Sequence, residues 1–321
     1  MTCVLITGGA GFIGSHLAES LVKTDVNIKI IDDLSTGRIE NLEAIKAESN
    51  VDVTVGNIIE DDKLDTMIEE ADIVFHLAAS VGVKNIVEYP LRSIMTNVKG
   101  TSRVLELAAK YHKKVLIAST SEVYGKNNNA PLNEDSERIL GTTKVNRWCY
   151  SNSKALDEYI ALAHYRTSGL PVIIVRLFNT CGPRQLGQYG MVLPNFVRKA
   201  LQDKPIQVFG DGRQTRCFTH VNDVVVALTD LVEKNDSVGE IFNIGSSEEV
   251  SINELAAQVK KITQSKSEIV HIPYDQAYEK GFEDMRRRVP DISKIKRFID
   301  WEPENNLENI IRDVIDYELI H

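Results

Sequence analysis

A tyrosine and a lysine in the stretch YSNSK lie four residues apart, at positions 150 and 154. If this stretch is helical, Tyr150 and Lys154 share one face of the helix. A phenol has a pKa of about 10, and bringing it to about 7 with a neighbouring ammonium group takes about 4 kcal/mol. The pair could therefore remove a proton from a substrate hydroxyl, although most such pairs are accidents of helical spacing.

A second polar stretch, STSEVYG at 119–125, follows directly on the apolar run VLIA. Three hydroxyls and a carboxylate at the end of a buried strand are compatible with an ordinary polar strand end. That is the usual case, but the same groups could instead face a substrate and hydrogen-bond to it. The remaining motifs of the chain have to separate these alternatives.

A glycine-rich stretch, TGGAGFIG, lies between the first predicted strand and the first predicted helix. Its regularly spaced glycines are Gly8, Gly11 and Gly14. Glycine there allows a tight turn, close approach of the backbone to a pyrophosphate, and packing of the helix on the strand. Asp32 ends the next strand, NIKIID, where a carboxylate accepts hydrogen bonds from ribose hydroxyls. The pattern predicts an NAD site, which Asp33 favours, while Arg38 leaves NADP open.

The elements around these motifs follow a regular order. Short β-branched runs alternate with amphipathic stretches through the first half of the chain, which predicts an α/β fold with a Rossmann-type doubly wound parallel sheet. After position 178 the sequence becomes rich in glycine and proline. We expect residues 1–178 to form the NAD-binding domain, to which the chain returns at about 218–245. Residues 179–321 should form a smaller C-terminal substrate-binding lobe.

Composition excludes several classes of protein. The chain has 321 residues, a formal net charge of -9 and a pI of about 5.4, which argues against binding nucleic acid or an anionic membrane. No apolar run approaches the roughly 18 residues of a membrane span, and MTCVLITGG lacks the features of a signal peptide. The four cysteines are widely separated, so we expect no metal site and the reduced thiols of a cytoplasmic protein.

Taken together, the motifs resemble the extended short-chain dehydrogenase/reductase family, specifically its NAD-dependent nucleotide-sugar epimerases, dehydratases and decarboxylases. The matching stretches, which span essentially the whole chain, are TGGAGFIGSHL, IDDLSTGRIENL, HLAAS, NVKGT, STSEVYG, YSNSK, RLFNTCGPRQ and FGDGRQTRCFTHVND. The resemblance implies NAD as cofactor and a UDP-sugar as substrate. It also implies a homodimer joined by a four-helix bundle, which helices near 95–111 and 153–167 would form.

The same resemblance implies roles for single residues. Thr120 would hydrogen-bond the reacting sugar oxygen, Tyr150 would be the base and Lys154 its electrostatic partner. The residues implied at the cofactor are Gly8, Gly11, Phe12, Ile13, Gly14, Asp32, Asp33, Ser35, Gly37, Asn57, Ile58, Leu77, Ala78, Ala79, Ser119, Tyr150 and Lys154. Those implied at the substrate are Ser121, Glu122, Asn179, Arg184, Val192, Leu193, Phe196, Gln207, Phe209, Arg216 and Arg288. We expect His76 to be structural and Asn97 to brace the active-site helix.

The reaction that follows oxidation at C4 of the sugar is left open. Ser121 stands where dehydratases carry the acid that expels water, which argues against dehydration. Glu122, together with Arg288 in RRRVPDI, resembles the UDP-glucuronate decarboxylases, whereas DDLSTGRIENL and GPRQLGQYGMVLPNF resemble loops of the epimerases. We expect a UDP-sugar 4-epimerase that acts through a transient 4-keto sugar on an N-acetylated or uronate UDP-hexose, with the decarboxylase as alternative. A non-catalytic NAD-binding sensor is disfavoured because Tyr150 and Lys154 are both present.

Overall fold

The structure is a computed structural model that describes residues 1–82, 86, 88–187, 190–277 and 285–321. Two positions of the loop GPRQLGQYGMVLPNF, 188 and 189, lie outside this description. In chain order the strands are β1 (Thr2–Thr7), β2 (Val26–Asp32), β3 (Val51–Val55), β4 (Ile73–His76), β5 (Lys114–Thr120), β6 (Val172–Leu177), β7 (Thr180–Cys181), β8 (Ile206–Phe209), β9 (Thr215–Cys217), β10 (Thr219–His220), β11 (Ile241–Ile244), β12 (Glu249–Ser251), β13 (Ile269–Ile272) and β14 (Arg287–Arg288).

The helices alternate with the strands through the first half, as the sequence predicts. They are α1 (Phe12–Leu21), α2 (Lys63–Glu70), α3 (Pro90–Tyr111), α4 (Arg147–Ser168), α5 (Val192–Leu201), α6 (Val221–Glu233), α7 (Ile252–Ile262), α8 (Tyr274–Ala277), α9 (Ser293–Ile299) and α10 (Leu307–Ile320). Short 3-10 helices span Ile39–Leu42, Ser121–Tyr124 and Asn235–Ser237. Helix α4 begins at Arg147, two turns before the segment that the sequence pattern indicated, and so includes Tyr150. None of the helices in the described ranges is long and apolar enough to cross a membrane.

A seven-stranded sheet forms the centre, in the order β11-β6-β5-β4-β1-β2-β3, and all of its neighbouring strands are parallel. The chain winds outward in both directions from β1, which pairs with β2 on one side and β4 on the other. This arrangement confirms the predicted Rossmann-type fold. Ligands of such sheets bind at the carboxyl ends of the strands where the winding direction changes.

Both faces of the sheet are covered, which explains why its strands read as continuous apolar runs. Val4 and Ile6 of β1 face one hydrophobic core, and Leu5 faces the other, as the two-residue period of a strand requires. Helices α1 and α6 contribute to the first core, and α2, α3 and α4 to the second. Because β1, β4 and β5 are parallel, their carboxyl ends lie at the same edge of the sheet.

A third core forms the C-terminal lobe, where α5, α7 and α10 pack around Leu193, Leu255 and Ile311. The chain returns to the sheet between these segments, since β11 is its edge strand and α6 covers one face. Helix α9, which the sequence assigned to the lobe, also packs on the sheet. The ring of Phe298 meets Phe242 of β11 edge-on at 5.0 Å between centroids, and this contact holds α9 there.

Candidate active site

A cavity of about 610 Å³ lies between the carboxyl edge of the sheet and the C-terminal lobe. Most residues that the sequence assigned to a site line it. They are Gly8, Gly11, Phe12, Ile13, Gly14, Asp32, Asp33, Ser35, Leu77, Ala78, Ala79, Ser119, Thr120, Ser121, Glu122, Tyr150, Asn179, Val192, Phe196, Gln207, Phe209, Arg216 and Arg288. Motifs separated by up to 280 positions thus meet at one cleft.

Six of the predicted residues do not line this cavity: Gly37, Asn57, Ile58, Lys154, Arg184 and Leu193. Leu193 is fully buried in the core of the lobe, and Ile58 is buried in the second core of the sheet. Both are therefore packing residues. Asn57 reaches the site indirectly, because its Nδ2 donates to Oδ2 of Asp33 at 3.2 Å.

The glycine turn has the shape that a pyrophosphate needs. Gly8 has a φ of +73°, and a Cβ there would lie 2.7 Å from the backbone nitrogen of Ala78. A Cβ on Gly14 would collide with the carbonyl oxygen of Gly8 where α1 packs on the turn. The backbone of α1 is thereby left open toward the cavity at its N-terminus, which suits a phosphate group. The turn fits NAD.

The carboxylate of Asp32 fixes the shape of this turn. Its Oδ2 accepts from the backbone N–H of Ala10 at 3.0 Å and its Oδ1 from that of Leu34 at 2.8 Å. Burial raises the pKa of Asp32, and these backbone donors oppose the rise. Gly37 lies against the same carboxylate, since a Cβ there would be 2.8 Å from both of its oxygens. Asp32 and Asp33 are the acidic residues at this end of the cavity.

Tyr150 and Thr120 meet at the other end. Tyr150 is 9% exposed, and its phenol is hydrogen-bonded to the hydroxyl of Thr120. The same hydroxyl accepts from the backbone N–H of Glu122 at 3.2 Å, which fixes its position at the end of β5. Burial raises the pKa of Tyr150, and the negative charge of Glu122 adds to this rise. Burial and Glu122 therefore both favour the protonated phenol over the phenolate.

Lys154 has a partner that the sequence analysis missed. Its Nζ donates to Oδ2 of Asp157 at 2.8 Å, and the two side chains are 2% and 0% exposed. The predicted electrostatic partner of Tyr150 is thus itself paired with a buried carboxylate. The signal was present, because Lys154 and Asp157 are three positions apart on one helix.

His76 lies beside this pair and is structural, as expected. Its Nδ1 is 2.8 Å from the hydroxyl of Thr7, and its Nε2 is 3.0 Å from that of Thr101. Burial, with a smaller contribution from Lys154, lowers the pKa of His76 to about 3. The ring is neutral and ties β4 to β1 and α3.

Asn97 braces the active-site helix in the predicted way. Its Oδ1 accepts from the backbone N–H of Ser80 at 2.7 Å, and its Nδ2 donates to Oγ of Ser153 at 3.2 Å. Ser153 in turn donates to the carbonyl of Tyr150 at 2.9 Å. Helix α3 is thus linked to the turn of α4 that carries the tyrosine.

Glu122 is the centre of a cluster of positive charge. Arg147 makes two hydrogen bonds to its carboxylate, one of them 2.8 Å from Nη2 to Oε1, and Nη1 of Arg288 lies 3.4 Å from Oε1. Burial opposes ionisation of Glu122, but Arg147, Arg288 and Arg216 outweigh it and lower its pKa. Glu122 is therefore an anion among three cations. Arg147 was not predicted from the sequence, although it precedes Tyr150 by one turn of the same helix.

The register of a small sheet in the lobe places two of these arginines. Arg288 of β14 pairs with Arg216 of β9, so the two side chains emerge side by side. Nη1 of Arg216 also donates to the carbonyls of Thr215 and Met285 at 2.8 Å. In RRRVPDI, Arg288 alone lines the cavity. Arg286 and Arg287 make exposed ion pairs with Asp211 and Glu249.

Two other predicted residues make contacts away from the substrate region. Arg184 donates to Oγ of Ser15 at 3.2 Å and pairs with Glu19, so it joins the lobe to α1. Its predicted place at the substrate is not what the structure has, because these partners on α1 hold the guanidinium outside the cavity. Ser119 lines the cavity, and its hydroxyl donates to Glu158, which is paired with Arg176 below the site.

The described residues contain no group of three or more His, Cys, Asp or Glu side chains suited to a metal ion. The polar groups around Tyr150 are hydroxyl, carboxylate and guanidinium groups. Such a site can exchange a proton with a sugar hydroxyl and hold an anionic substituent nearby.

Comparisons with known proteins agree with this geometry. The model of the family described as GDP-mannose 4,6 dehydratase matches residues 5–314. The chain is 43% identical to a UDP-N-acetyl-alpha-D-glucosaminuronate decarboxylase of Bacillus cytotoxicus, over 98% of this chain and 96% of that protein. It is 37% identical to UDP-glucuronic acid decarboxylase 1 of Arabidopsis thaliana, over 98% and 69%.

Solved structures of related enzymes have the same fold over the whole chain. A UDP-glucose 4-epimerase of Thermotoga maritima with UDP-glucose superimposes with a TM-score of 0.89 at 30% identity, covering 99% of both chains. A UDP-glucuronic acid 4-epimerase of Bacillus cereus, in complex with UDP-glucuronic acid and NAD, gives 0.89 at 27% identity and covers 100% of both. The chain belongs to the GDP-mannose 4,6 dehydratase family, within the extended short-chain dehydrogenases/reductases that act on nucleotide sugars, and its cofactor is NAD.

Proposed function

We propose that this enzyme is a decarboxylase of a UDP-uronate, meaning UDP-glucuronate or its 2-acetamido counterpart, and that it releases a UDP-pentose and carbon dioxide. The observation that carries the proposal is the position of Arg288 beside Glu122, in the cavity that Thr120 and Tyr150 also line. The sequence relatives named above support it, because they are decarboxylases of UDP-uronates.

The arginines in the cavity favour an acidic sugar. The guanidinium groups of Arg147, Arg216 and Arg288 line the cavity, and all three lower the pKa of Glu122. Arginine suits phosphate and carboxylate ligands, because its planar group can donate two parallel hydrogen bonds. The diphosphate of a UDP-sugar and a carboxylate at C6 of the sugar are both ligands of this kind.

The first chemical step uses Tyr150 and Thr120. Tyr150 accepts the proton of the C4 hydroxyl, while Thr120 donates a hydrogen bond to the same oxygen and orients it. NAD, when bound, accepts hydride from C4 and later returns it. Lys154 and Asp157 lie behind Tyr150 and are shielded from water, so they act on the charge of the site and do not contact the sugar.

Oxidation at C4 makes the C6 carboxylate that of a β-keto acid. The bond between C5 and C6 then breaks, its electron pair moves toward the C4 oxygen, and carbon dioxide leaves. Thr120 and Tyr150 donate hydrogen bonds to the oxygen on which negative charge develops. Arg288 orients the carboxylate before the bond breaks. After carbon dioxide has left, C5 takes up a proton from water. The ketone at C4 is then reduced to the hydroxyl of the product.

The epimerase that the sequence analysis placed first remains the second candidate. Solved structures of 4-epimerases superimpose on the chain, and one of them contains UDP-glucuronic acid. Epimerisation needs the same oxidation, followed by return of hydride to the other face of the ketone. The comparisons favour the decarboxylase, because the relatives with the higher identity, 43% and 37%, are decarboxylases.

The deciding experiment is to incubate the enzyme and NAD separately with UDP-glucuronate, its 2-acetamido counterpart, UDP-glucose and UDP-GlcNAc, and to identify the products by NMR. We expect carbon dioxide and a UDP-pentose from one or both acidic substrates, and no turnover of the neutral ones. A 4-inverted sugar that keeps all its carbons would assign the epimerase.

We also propose that the protein is a homodimer whose interface contains α3 and α4. These helices pack on each other, and both leave apolar side chains exposed: Leu91 is 69%, Leu156 45% and Tyr159 65% exposed. Two helices from each chain would bury these side chains in a four-helix bundle. In sedimentation at micromolar concentration we expect a dimer that Tyr159→Glu converts to monomer. Val226→Glu, at an exposed position of α6, should leave the dimer intact, and a monomeric wild-type protein would refute the proposal.

A further inference from the structure

Asp157 is a buried carboxylate to which the reaction assigns no role. It is 0% exposed, and its Oδ2 accepts from Nζ of Lys154 at 2.8 Å. A buried ion pair rarely adds net stability, because both ions lose their hydration. Lys154 and Asp157 lie one and two turns beyond Tyr150 on α4, and the charge of Asp157 acts on the phenol.

The other groups that face this pair within the described part of the chain carry no uncompensated charge. Thr101 of α3 contributes a hydroxyl to Asp157, and His76 of β4 is neutral. Glu158, the next residue of α4, is paired with Arg176.

On the opposite side of Tyr150, Glu122 is ionised and paired with Arg147 and Arg288, next to Arg216. These charges are the same whatever residue stands at 157. Among the residues that the structure describes, the charges directly behind Tyr150 are therefore those of Lys154 and Asp157, and their sum is zero.

We propose that Asp157 is a positioning residue that neutralises Lys154 and so allows the site to bind the oxidised cofactor in preference to the reduced one. The two forms of NAD differ by one positive charge on the nicotinamide ring. That ring has to lie near Tyr150, because the hydride leaves C4 of the sugar and the proton leaves the hydroxyl group on the same carbon. Without Asp157, the ammonium group of Lys154 would repel the oxidised ring and leave the reduced ring unaffected.

This inference goes beyond the proposed reaction. It concerns the cofactor site alone and is the same for a decarboxylase and for an epimerase. Both reactions begin with the oxidised cofactor, so a site that favours the reduced form would hold more of the enzyme in a state unable to start turnover. The test can therefore be made without any sugar nucleotide.

The experiment measures the Kd of cofactor-free protein for NAD⁺ and for NADH by calorimetry. Asp157→Asn keeps the shape of the side chain and removes its charge, and we expect the ratio of the Kd for NAD⁺ to that for NADH to rise about tenfold. A tenfold rise corresponds to a shift of about 30 mV in the potential of the bound two-electron couple. Asp157→Glu keeps the charge and should leave the ratio near that of the wild type.

A double variant separates charge from packing. Lys154→Met combined with Asp157→Asn removes both charges and should return the ratio close to the wild-type value, even if both forms bind more weakly. Asp223→Asn is the matched control, because Asp223 is also buried but lies outside the cavity. If the asparagine variant does not fold, Asp157→Ser replaces it: serine is smaller and neutral, and we expect the same rise in the ratio. An unchanged ratio in the neutral variants, or a shifted ratio that persists in the double variant, would overturn the proposal.

Discussion

Glu122 and Arg288 face each other across the cleft, with Oε1 of the glutamate 3.4 Å from Nη1 of the arginine. Glu122 follows β5 at the edge of the sheet, and Arg288 belongs to β14 in the lobe. Nη2 of Arg288 also donates to Oδ1 of Asn179 at 2.5 Å, so the guanidinium group has a fixed orientation. The guanidinium group is thus held from two sides in the cavity lining. The pair joins the end of β5 to β14 of the lobe.

Replacing Arg288 should reduce activity with acidic substrates. We expect Arg288→Gln to lower kcat/KM for a UDP-uronate by about 100-fold or more, because a buried charge-assisted contact is lost. Steady-state kinetics with the acidic substrate measures this change. Arg287→Gln is the matched control: Arg287 is the neighbouring residue, but its side chain is 45% exposed and paired with Glu249. A variant of Arg288 that keeps wild-type kcat/KM would show that the carboxylate binds elsewhere.

Removing only one partner of the ion pair between Arg147 and Glu122 should destabilise the folded protein strongly. Their side chains are 3% and 13% exposed, so Arg147→Met leaves a carboxylate buried beside the remaining arginines with fewer donors. We expect a loss of about 3 kcal/mol in the free energy of unfolding. The double variant with Glu122→Gln should lose less than the sum of the two single losses. Urea unfolding of all four proteins measures the interaction, and strict additivity would contradict it.

Glu122 also gives a prediction for acid stability. Its pKa is lowered in the folded protein, so the folded state binds this proton less readily than the unfolded state does. The stabilisation is complete above the ordinary glutamate pKa of about 4.3 and is lost as the pH falls through the lower folded value. Unfolding free energies from pH 7 down to acid should therefore fall more steeply for the wild type than for Glu122→Gln. Parallel curves would mean that Glu122 titrates normally.

Local spacing made much of the site predictable. The glycine turn, Asp32, Thr120 and Tyr150 depend on neighbours within a few positions, so their sequence pattern carries the information. Arg184 shows the limit, because a guanidinium group after Gly-Pro can turn toward the cavity or toward α1. Its ion pair with Glu19 spans 165 positions, and no local pattern encodes it.

Arg147 and Asp157 were missed for a different reason. Both lie within one or two turns of Tyr150 on α4, where helical spacing could have indicated them. The sequence pattern marked a helix only from 153, because the apolar face that reveals a helix begins there, so Arg147 fell outside it. Asp157 fell inside it, but a periodic pattern does not tell a buried ion pair from an exposed one. The burial of both residues follows from the parts of the fold that enclose them.

The glycine turn gives a prediction for cofactor binding. Gly8→Ala places a Cβ 2.7 Å from the nitrogen of Ala78 and strains a residue whose φ is +73°. We expect NAD affinity to fall by at least tenfold, because the turn must shift away from the pyrophosphate. Gly169→Ala is a matched control at φ +68°, in a place with no atom within 4 Å of the added carbon. Gly169→Ala should lower the free energy of unfolding by about 1 kcal/mol and leave the affinity for NAD unchanged. Calorimetric titration measures the NAD affinity of both variants.

The last prediction concerns the pH dependence of the reaction. Burial raises the pKa of Tyr150, and Glu122 is the charged group that contributes most to the rise after burial. If Tyr150 is the base, kcat/KM should increase with pH as the phenol ionises, and Tyr150→Phe should reduce kcat by about 100-fold to 10,000-fold. Glu122→Gln removes a negative charge that disfavours the phenolate, so it should move the rising limb of the profile to lower pH, whatever it does to the maximal rate. The measurement is the pH profile of kcat/KM for the wild type and the glutamine variant. A limb that stays in place, or that moves to higher pH, would show that the titrating group is not Tyr150.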